Sequence, residues 1–414
     1  MIKIINLISC NSNLKEKLKK KIYFLFLMTA IEKENRIPRF SSIDIYRGYL
    51  IALMVIHHYA EWVYHPLNGN FLLISFDLIF IQLGLWPVFN ALCIRQNIFL
   101  KISYIFSYLG TYPFIIIVGM ALVLSTEIRR ERGYTDSKIK KHTMKRVLWI
   151  LLFHILLGQI VLGPGTLWWS GVLSIVAFNI FAGYFFQRLP NKINAPLAVL
   201  IFIVSPLIKD FLNIPNVGYY VDPDPGILGG LRFIAYNMLP HFLPVLSFTI
   251  MGIMIGKLIV EFYRKGKLQN LTYILLIAGG LFWVTGALMD PFVPYFGYMY
   301  ILIPLEIYEM FYALGLWCIS FGILFWIIEV KKKKWRAFKF FELCGYSTLS
   351  LYFFHHFLGL NYWMYYNHPL ANSMSNFSYF QIWVALWASL WVYLTLWSKV
   401  KYKYSLEWFI RKYS

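Results

Sequence analysis

The feature that most constrains this chain is a succession of apolar runs, most of them close to the ~20 residues an α-helix needs to cross ~30 Å of bilayer hydrocarbon. They fall at about 42–64, 71–93, 98–125, 147–163, 167–187, 195–212, 236–260, 271–290, 304–329, 340–360 and 378–397 of the 414 residues. Lipid offers no partner for a backbone N–H or C=O, so runs of this kind must be helices that satisfy their own backbone. Composition agrees, with 59% hydrophobic residues, 14% charged residues and a mean hydropathy of +0.59; soluble domains carry about 25% charged residues. The fold class expected is an all-α polytopic membrane bundle, about 10 transmembrane helices plus one non-spanning apolar segment.

A net charge of +20, from 39 basic and 19 acidic residues, would on a soluble chain suggest nucleic acid. Here the basic residues gather in short loops between apolar runs. The strongest holds Arg129, Arg130, Arg132, Lys138, Lys140, Lys141, Lys145 and Arg146, and others hold Arg264, Lys265 and Lys267, or Lys331 to Lys334. The stretches 213–233, 291–303 and 361–377 are nearly free of Lys and Arg. That alternation is the positive-inside pattern of a cell-membrane protein and not a nucleic-acid footprint. It sets both termini on the cytoplasmic side, with a basic tail over 1–38, the bundle over 39–400 and a second tail over 401–414. It also requires an odd number of crossings between 66 and 126, so the run 71–93, which contains Asp77, is expected not to cross. The apolar run from Ile22 to Ile31 is too short to span and has no cleavage site of signal-peptide type. The four cysteines are scattered without a CxxC, which favours packing roles over a disulfide or zinc site. Gly252 and Gly256 form a GxxxG pair expected to bring two helices close.

The first span is the exception to the apolar rule, because Asp44, Arg47, His57, His58, Glu61 and His65 lie on or beside it. Each ionisable group in hydrocarbon costs roughly 2.5–3.5 kcal/mol on insertion scales, and such groups mark functional sites by default. At 100° per residue Arg47 and His58 share one face about 16 Å apart, with His65 two turns on. Ile51, Met54 and Trp62 fill the same stripe, and Glu61 is within reach of both histidines. A second pair, His355 and His356, lies in the span 340–360. His355 is about 23 Å along that helix and His58 about 24 Å along the first. The two helices run in the same direction, so both histidines reach a similar depth. Tyr352 shares the face of His355. Arg47 near the cytoplasmic end and the basic stretch with Arg129 and Arg130 suit an anionic cytosolic ligand, although topology alone also accounts for such charge.

The segment Ser42–Gly69, with S-I-D-I-Y-R-G followed by A-L-M-V-I, resembles the first catalytic-domain helix of the heparan-α-glucosaminide N-acetyltransferase-like family. That family belongs to a wider set of transmembrane acyltransferases that includes the family-3 acyltransferases. Arg47 and His58 also match the R-x10-H spacing of the family-3 enzymes. Members of the glucosaminide type have Asn at the place of His58 and a candidate catalytic histidine before an NG pair; here His65 precedes Asn68–Gly69. Phe114, Gly119 and Ser125 resemble a second family motif. Gly171–Val172–Leu173 resembles a GVLQ motif with Ser174 for Gln. Gly345, Thr348, Leu349, Tyr352 and His355 resemble a G-x-x-S-L-x-x-Y-x-x-H pattern, and Leu239–Gly256 resembles a further segment.

The resemblance implies transfer of an acyl group, acetyl in the first instance, from acetyl-CoA or another acyl-CoA. The acceptor would be a glycan or lipid-linked sugar on the outer side of the lipid bilayer. The residues that would carry it are His58 or His65 as general base, Glu61 to fix a tautomer, and Asn68, Tyr352 or His355 as oxyanion donors. Arg47, Asp44, Arg129 and Arg130 would bind the donor, and no metal is expected. Two other classes draw on the same side chains: a transporter or flippase with histidine proton relays, and a bis-histidine haem subunit with His58 and His355 as axial ligands.

Overall fold

The computed structural model describes residues 36–64, 111–161, 171–211, 239–289, 307–333, 335–357 and 376–414. Among the described residues every regular element is helical. In chain order these are α1 (Ser41–Tyr64), α2 (Thr111–Glu131), α3 (Asp136–Val161), α4 (Val172–Phe186), α5 (Asn191–Phe211), α6 (Leu239–Arg264) and α7 (Leu268–Met289). They are followed by α8 (Ile307–Phe325), a π turn over Trp326–Val330, α9 (Arg336–Tyr346), α10 (Thr348–Phe357), α11 (Asn376–Lys399) and α12 (Leu406–Tyr413).

Three helical stretches, Asp136–Ile160, Val245–Arg264 and Leu268–Met289, are long and apolar enough to cross a membrane. Large apolar side chains stay exposed along outer faces: Leu148, Leu152 and Ile155 on α3, Ile277, Leu281 and Leu288 on α7, Val392 and Leu396 on α11. Water would penalise such belts, whereas lipid matches them. The chain is a helical membrane protein.

Small residues decide how closely the helices approach. At the α2–α6 crossing a Cβ on Gly252 would overlap the carbonyl of Ile116, and one on Gly256 would lie 3.2 Å from Met120 Cα. A Cβ on Gly119 would lie 3.0 Å from Ile253 N. The GxxxG pair therefore makes the close contact expected of it. Beside that crossing the buried Thr249 hydroxyl donates to Asn179 Oδ1 at 2.5 Å, tying α6 to α4. On the other side Trp317, Phe321 and Phe325 of α8 are fully buried, with Trp317 and Phe321 stacked at 5.1 Å.

Helix boundaries depart from expectation in two places. The basic stretch 129–146 is not a loop: α2 continues to Glu131, and α3 starts at Asp136 after a turn in which Gly133 has φ +79. Lys and Arg are good helix formers, so a polar stretch next to two apolar helices simply extends them. The run 340–360 is not one helix, because it breaks at Ser347 between α9 and α10. The path of 66–110, the Lys- and Arg-poor stretches 213–233, 291–303 and 361–375, and residues 1–35 of the first tail lie outside the described residues.

Candidate functional site

α1 starts at Ser41 with its first turn held by carboxylates from two other segments. Glu329, carried on the π turn after α8, accepts from Ser42 N at 2.9 Å, and Glu131 of α2 accepts from Ile37 N at 2.9 Å. Negative charge at a helix N-terminus satisfies orphan N–H groups and complements the dipole. Two turns on, α1 packs along α9 through glycines. A Cβ on Gly48 would overlap the carbonyl of Phe341, and one on Gly345 would overlap the carbonyl of Asp44.

That approach sets the surroundings of Arg47. Its guanidinium donates to Asp44 Oδ1 at 3.0 Å and to the carbonyl of Gly345. Asp44 is buried and also accepts from Arg39 Nε at 2.5 Å, while Arg39 lies over the Tyr346 ring at 4.5 Å. The Gly345 carbonyl is one of those left open where α9 ends. Local hydroxyls reach the end of the helix too: Ser347 Oγ donates to Leu343 O at 3.1 Å, and Thr348 Oγ1 lies 3.3 Å from Cys344 O and 3.0 Å from Gly345 O, which it shares with Arg47. Arg47 thus places a cation at a helix C-terminus, where it is stabilised. Arg47 Nε is buried without a hydrogen-bond partner.

After the break α10 packs against both α1 and α3. It carries Tyr352 and His355, 6% and 4% exposed, with ring centroids 5.2 Å apart in an edge-to-face arrangement. His355 Nδ1 lies 3.3 Å from Leu351 O. A carbonyl can only accept, so this bond puts the proton on Nδ1 and the lone pair of the neutral ring on Nε2.

The other expected donor-binding residues separate. Arg129 donates to Ser125 O at 3.2 Å and contacts His142 Nε2. Arg146, one turn beyond His142 on α3, lies in the field of Arg47, Arg129 and Glu407. Arg130 turns away into an exposed ion-pair chain, 2.7 Å from Glu127 and 3.3 Å from Asp136. His142 sits in the polar first turns of α3, ahead of the apolar stretch; burial and the adjacent Arg129 hold its imidazole below the usual range. α1 carries His57, His58 and Glu61 in its last turns, but their side chains lie outside the described residues. His65 and Asn68 lie outside them entirely.

Residues 84–285 match the family model described as heparan-alpha-glucosaminide N-acetyltransferase, catalytic. That stretch of the chain is similar to the catalytic domain of the heparan-α-glucosaminide N-acetyltransferase family. The matched residues take in α2 to α6 and most of α7, and with them the Phe114–Gly119–Ser125, Gly171–Leu173 and Leu239–Gly256 motifs. The segment Ser42–Gly69 lies wholly ahead of the match and the Gly345–His355 motif beyond it. No curated protein matches the chain. The similarity suggests an acetyltransferase of membrane type. The structure supplies a physical reason for one family-like position, since Gly119 permits the α2–α6 contact; at Ser174, which replaces the motif's Gln, the hydroxyl donates to Gly171 O at 2.7 Å at the start of α4.

Sequence reading passed over several residues around α10 and Arg47. Arg146 stood among the basic residues with no separate role, and neither His142 nor Glu407 was singled out. Only His142 carried a readable signal, a histidine in a run of lysines; what it meets depends on how α2 and α3 pack.

Proposed function

We propose that this protein moves an acetyl group from acetyl-CoA to a hydroxyl or amine of a glycan or lipid-linked sugar. The donor enters from the cytoplasm and the acceptor from the extracytoplasmic side. The observation that carries the reading is the family match together with the α1–α9–α10 unit. In that unit a guanidinium with an unpartnered buried donor, Arg47, stands beside a broken helix whose second half carries the buried pair Tyr352 and His355. Arg47 suits the phosphates of CoA, because guanidinium binds phosphate in a planar fork. Asp44 holds Arg47 in place and Arg130 attracts the donor from outside. The termini and the basic stretches face the cytoplasm, as the positive-inside pattern requires.

The chemistry uses a histidine on or just after α1, His58 or His65, as general base. The acceptor oxygen or nitrogen attacks the thioester carbonyl while that histidine takes its proton. The C–S bond then breaks, and the leaving thiolate receives the proton back from the imidazolium. Tyr352 or Asn68, or His355 once its Nε2 is protonated, donates to the oxyanion while the tetrahedral carbon exists. Glu61 orients the base. Transfer from labelled acetyl-CoA by purified protein tests this. His58→Ala or His65→Ala should abolish transfer, and His355→Ala should reduce kcat by about 100-fold, as loss of one oxyanion donor does. Full activity in both the His58 and His65 variants would end the assignment.

A further inference from the structure

The N-terminus of α10 is held from outside its own segment. Leu349 N donates to Glu407 Oε1 at 2.5 Å and Ser350 N to the same oxygen at 3.1 Å. Ser350 Oγ donates to Glu407 Oε2 at 2.6 Å and accepts from Leu406 N at 2.9 Å. The arrangement is reciprocal: a carboxylate of α12 caps α10, and a hydroxyl of α10 caps α12. Ser350 and Ser405 are fully buried, and Ser405 Oγ caps α12 a second time by accepting from Trp408 N at 3.0 Å.

The apolar face of α12 continues the attachment. Phe409 meets Trp149 of α3 at 4.7 Å and Phe153 at 6.1 Å, and Phe153 reaches Phe353 of α10 at 6.4 Å. The turn leading in from α11 holds Lys401, Tyr402 and Tyr404 at φ of 54, 53 and 65. Left-handed backbone at bulky residues persists only where the surroundings hold it. The break at Ser347 leaves α10 without helical continuity to α9, so nothing within its own hydrogen-bond ladder fixes its direction.

We propose that Glu407 is a positioning residue for the site: through Ser350 and the α10 N-terminus it sets where Tyr352 and His355 stand. Tyr352 and His355 are about 3 and 7.5 Å along the helix from Ser350, so a tilt at the cap moves both rings. The kinetic part of this inference rests on the acetyltransferase reading; the structural part does not.

The experiment compares wild type, Glu407→Ala, Glu407→Gln and Ser350→Ala, with Lys412→Ala on the exposed side of α12 as a control. Amide hydrogen exchange and transfer from labelled acetyl-CoA are read on the same full-length preparations. In Glu407→Ala, exchange over 349–357 should rise while α6 keeps its protection. Its kcat should fall about 10–100-fold, the cost of roughly 1 Å of misplacement, with KM for acetyl-CoA within about twofold. Glu407→Gln retains one carbonyl oxygen for the backbone N–H groups and should recover part of both effects. Where Glu407→Ala does not fold, the Gln and Ser350 variants carry the same comparison. Unchanged exchange over 349–357, or unchanged kcat in the face of loosened exchange, overturns the proposal. Absence of transfer by the wild type refutes the acetyltransferase reading alone, and the exchange pattern then still decides whether Glu407 holds α10.

Discussion

Gly345→Ala isolates the contact on which the site geometry rests. The added Cβ would lie 2.8 Å from the carbonyl carbon of Asp44 and closer still to its oxygen. Both are backbone atoms of α1, so no rotamer change relieves the overlap; α1 and α9 must separate by about 1 Å. Inserting a methyl into a tight contact costs typically 1–3 kcal/mol, occasionally more, and a backbone obstacle belongs at the upper end. Separation also lengthens the bond from Arg47 to the Gly345 carbonyl, which adds a charge-assisted hydrogen bond of about 1.5–3 kcal/mol to what is at risk. The expected total is therefore about 3 kcal/mol or more. Gly280→Ala is the matched control, because a Cβ there meets nothing within 4 Å, and helix propensity predicts a gain of about 0.5–1 kcal/mol. Thermal unfolding in one detergent, with both variants and wild type side by side, measures the difference. Gly48→Ala should behave like Gly345→Ala, and the double variant should lose less than the sum because both act at one crossing. If Gly345→Ala melted with Gly280→Ala, the close α1–α9 approach would be wrong, and with it the placement of Arg47.

Three further outcomes follow from the same geometry. Arg47→Ala should cost about 2 kcal/mol by thermal unfolding and weaken acetyl-CoA binding by isothermal titration; Arg47→Lys should restore less than half, since an ammonium cannot reproduce the fork. Thr249→Val removes the donor to the buried Asn179 Oδ1 and should cost about 1 kcal/mol, with a less than additive effect alongside Asn179→Leu. His142 has a folded pKa below its ordinary 6.5, so the neutral ring is the form the fold favours. Its contribution is present above pH 6.5 and is lost progressively as pH falls below 6.5 and through the lower folded value, because the unfolded chain takes up the proton first. His142→Gln should flatten the fall in stability between pH 7.5 and 5.5; an unaltered pH profile would contradict the contact with Arg129.

Membrane residence and an all-helical fold were written in the chain itself, because backbone satisfaction in lipid permits little else and the apolar runs have bilayer length. α1 was legible to within a residue for the same reason, and its polar residues raised the expectation of a site because hydrocarbon makes idle charges expensive. The GxxxG contact was legible too, since only small residues let two backbones approach. The basic stretch 129–146 misled, because charge marks topology without saying whether the backbone coils. The break at Ser347 could not be seen either: no Gly or Pro stands there, and α10 starts afresh because a carboxylate far along the chain meets its first N–H groups. What Arg47 grips, why Arg129 meets His142 while Arg130 does not, and what Glu407 caps are all pairings between residues distant in sequence. Local pattern carries the period of each helix and the identity of its polar face. Only the packing of helices decides which polar faces meet, because those contacts form between segments whose separation along the chain sets no distance in space.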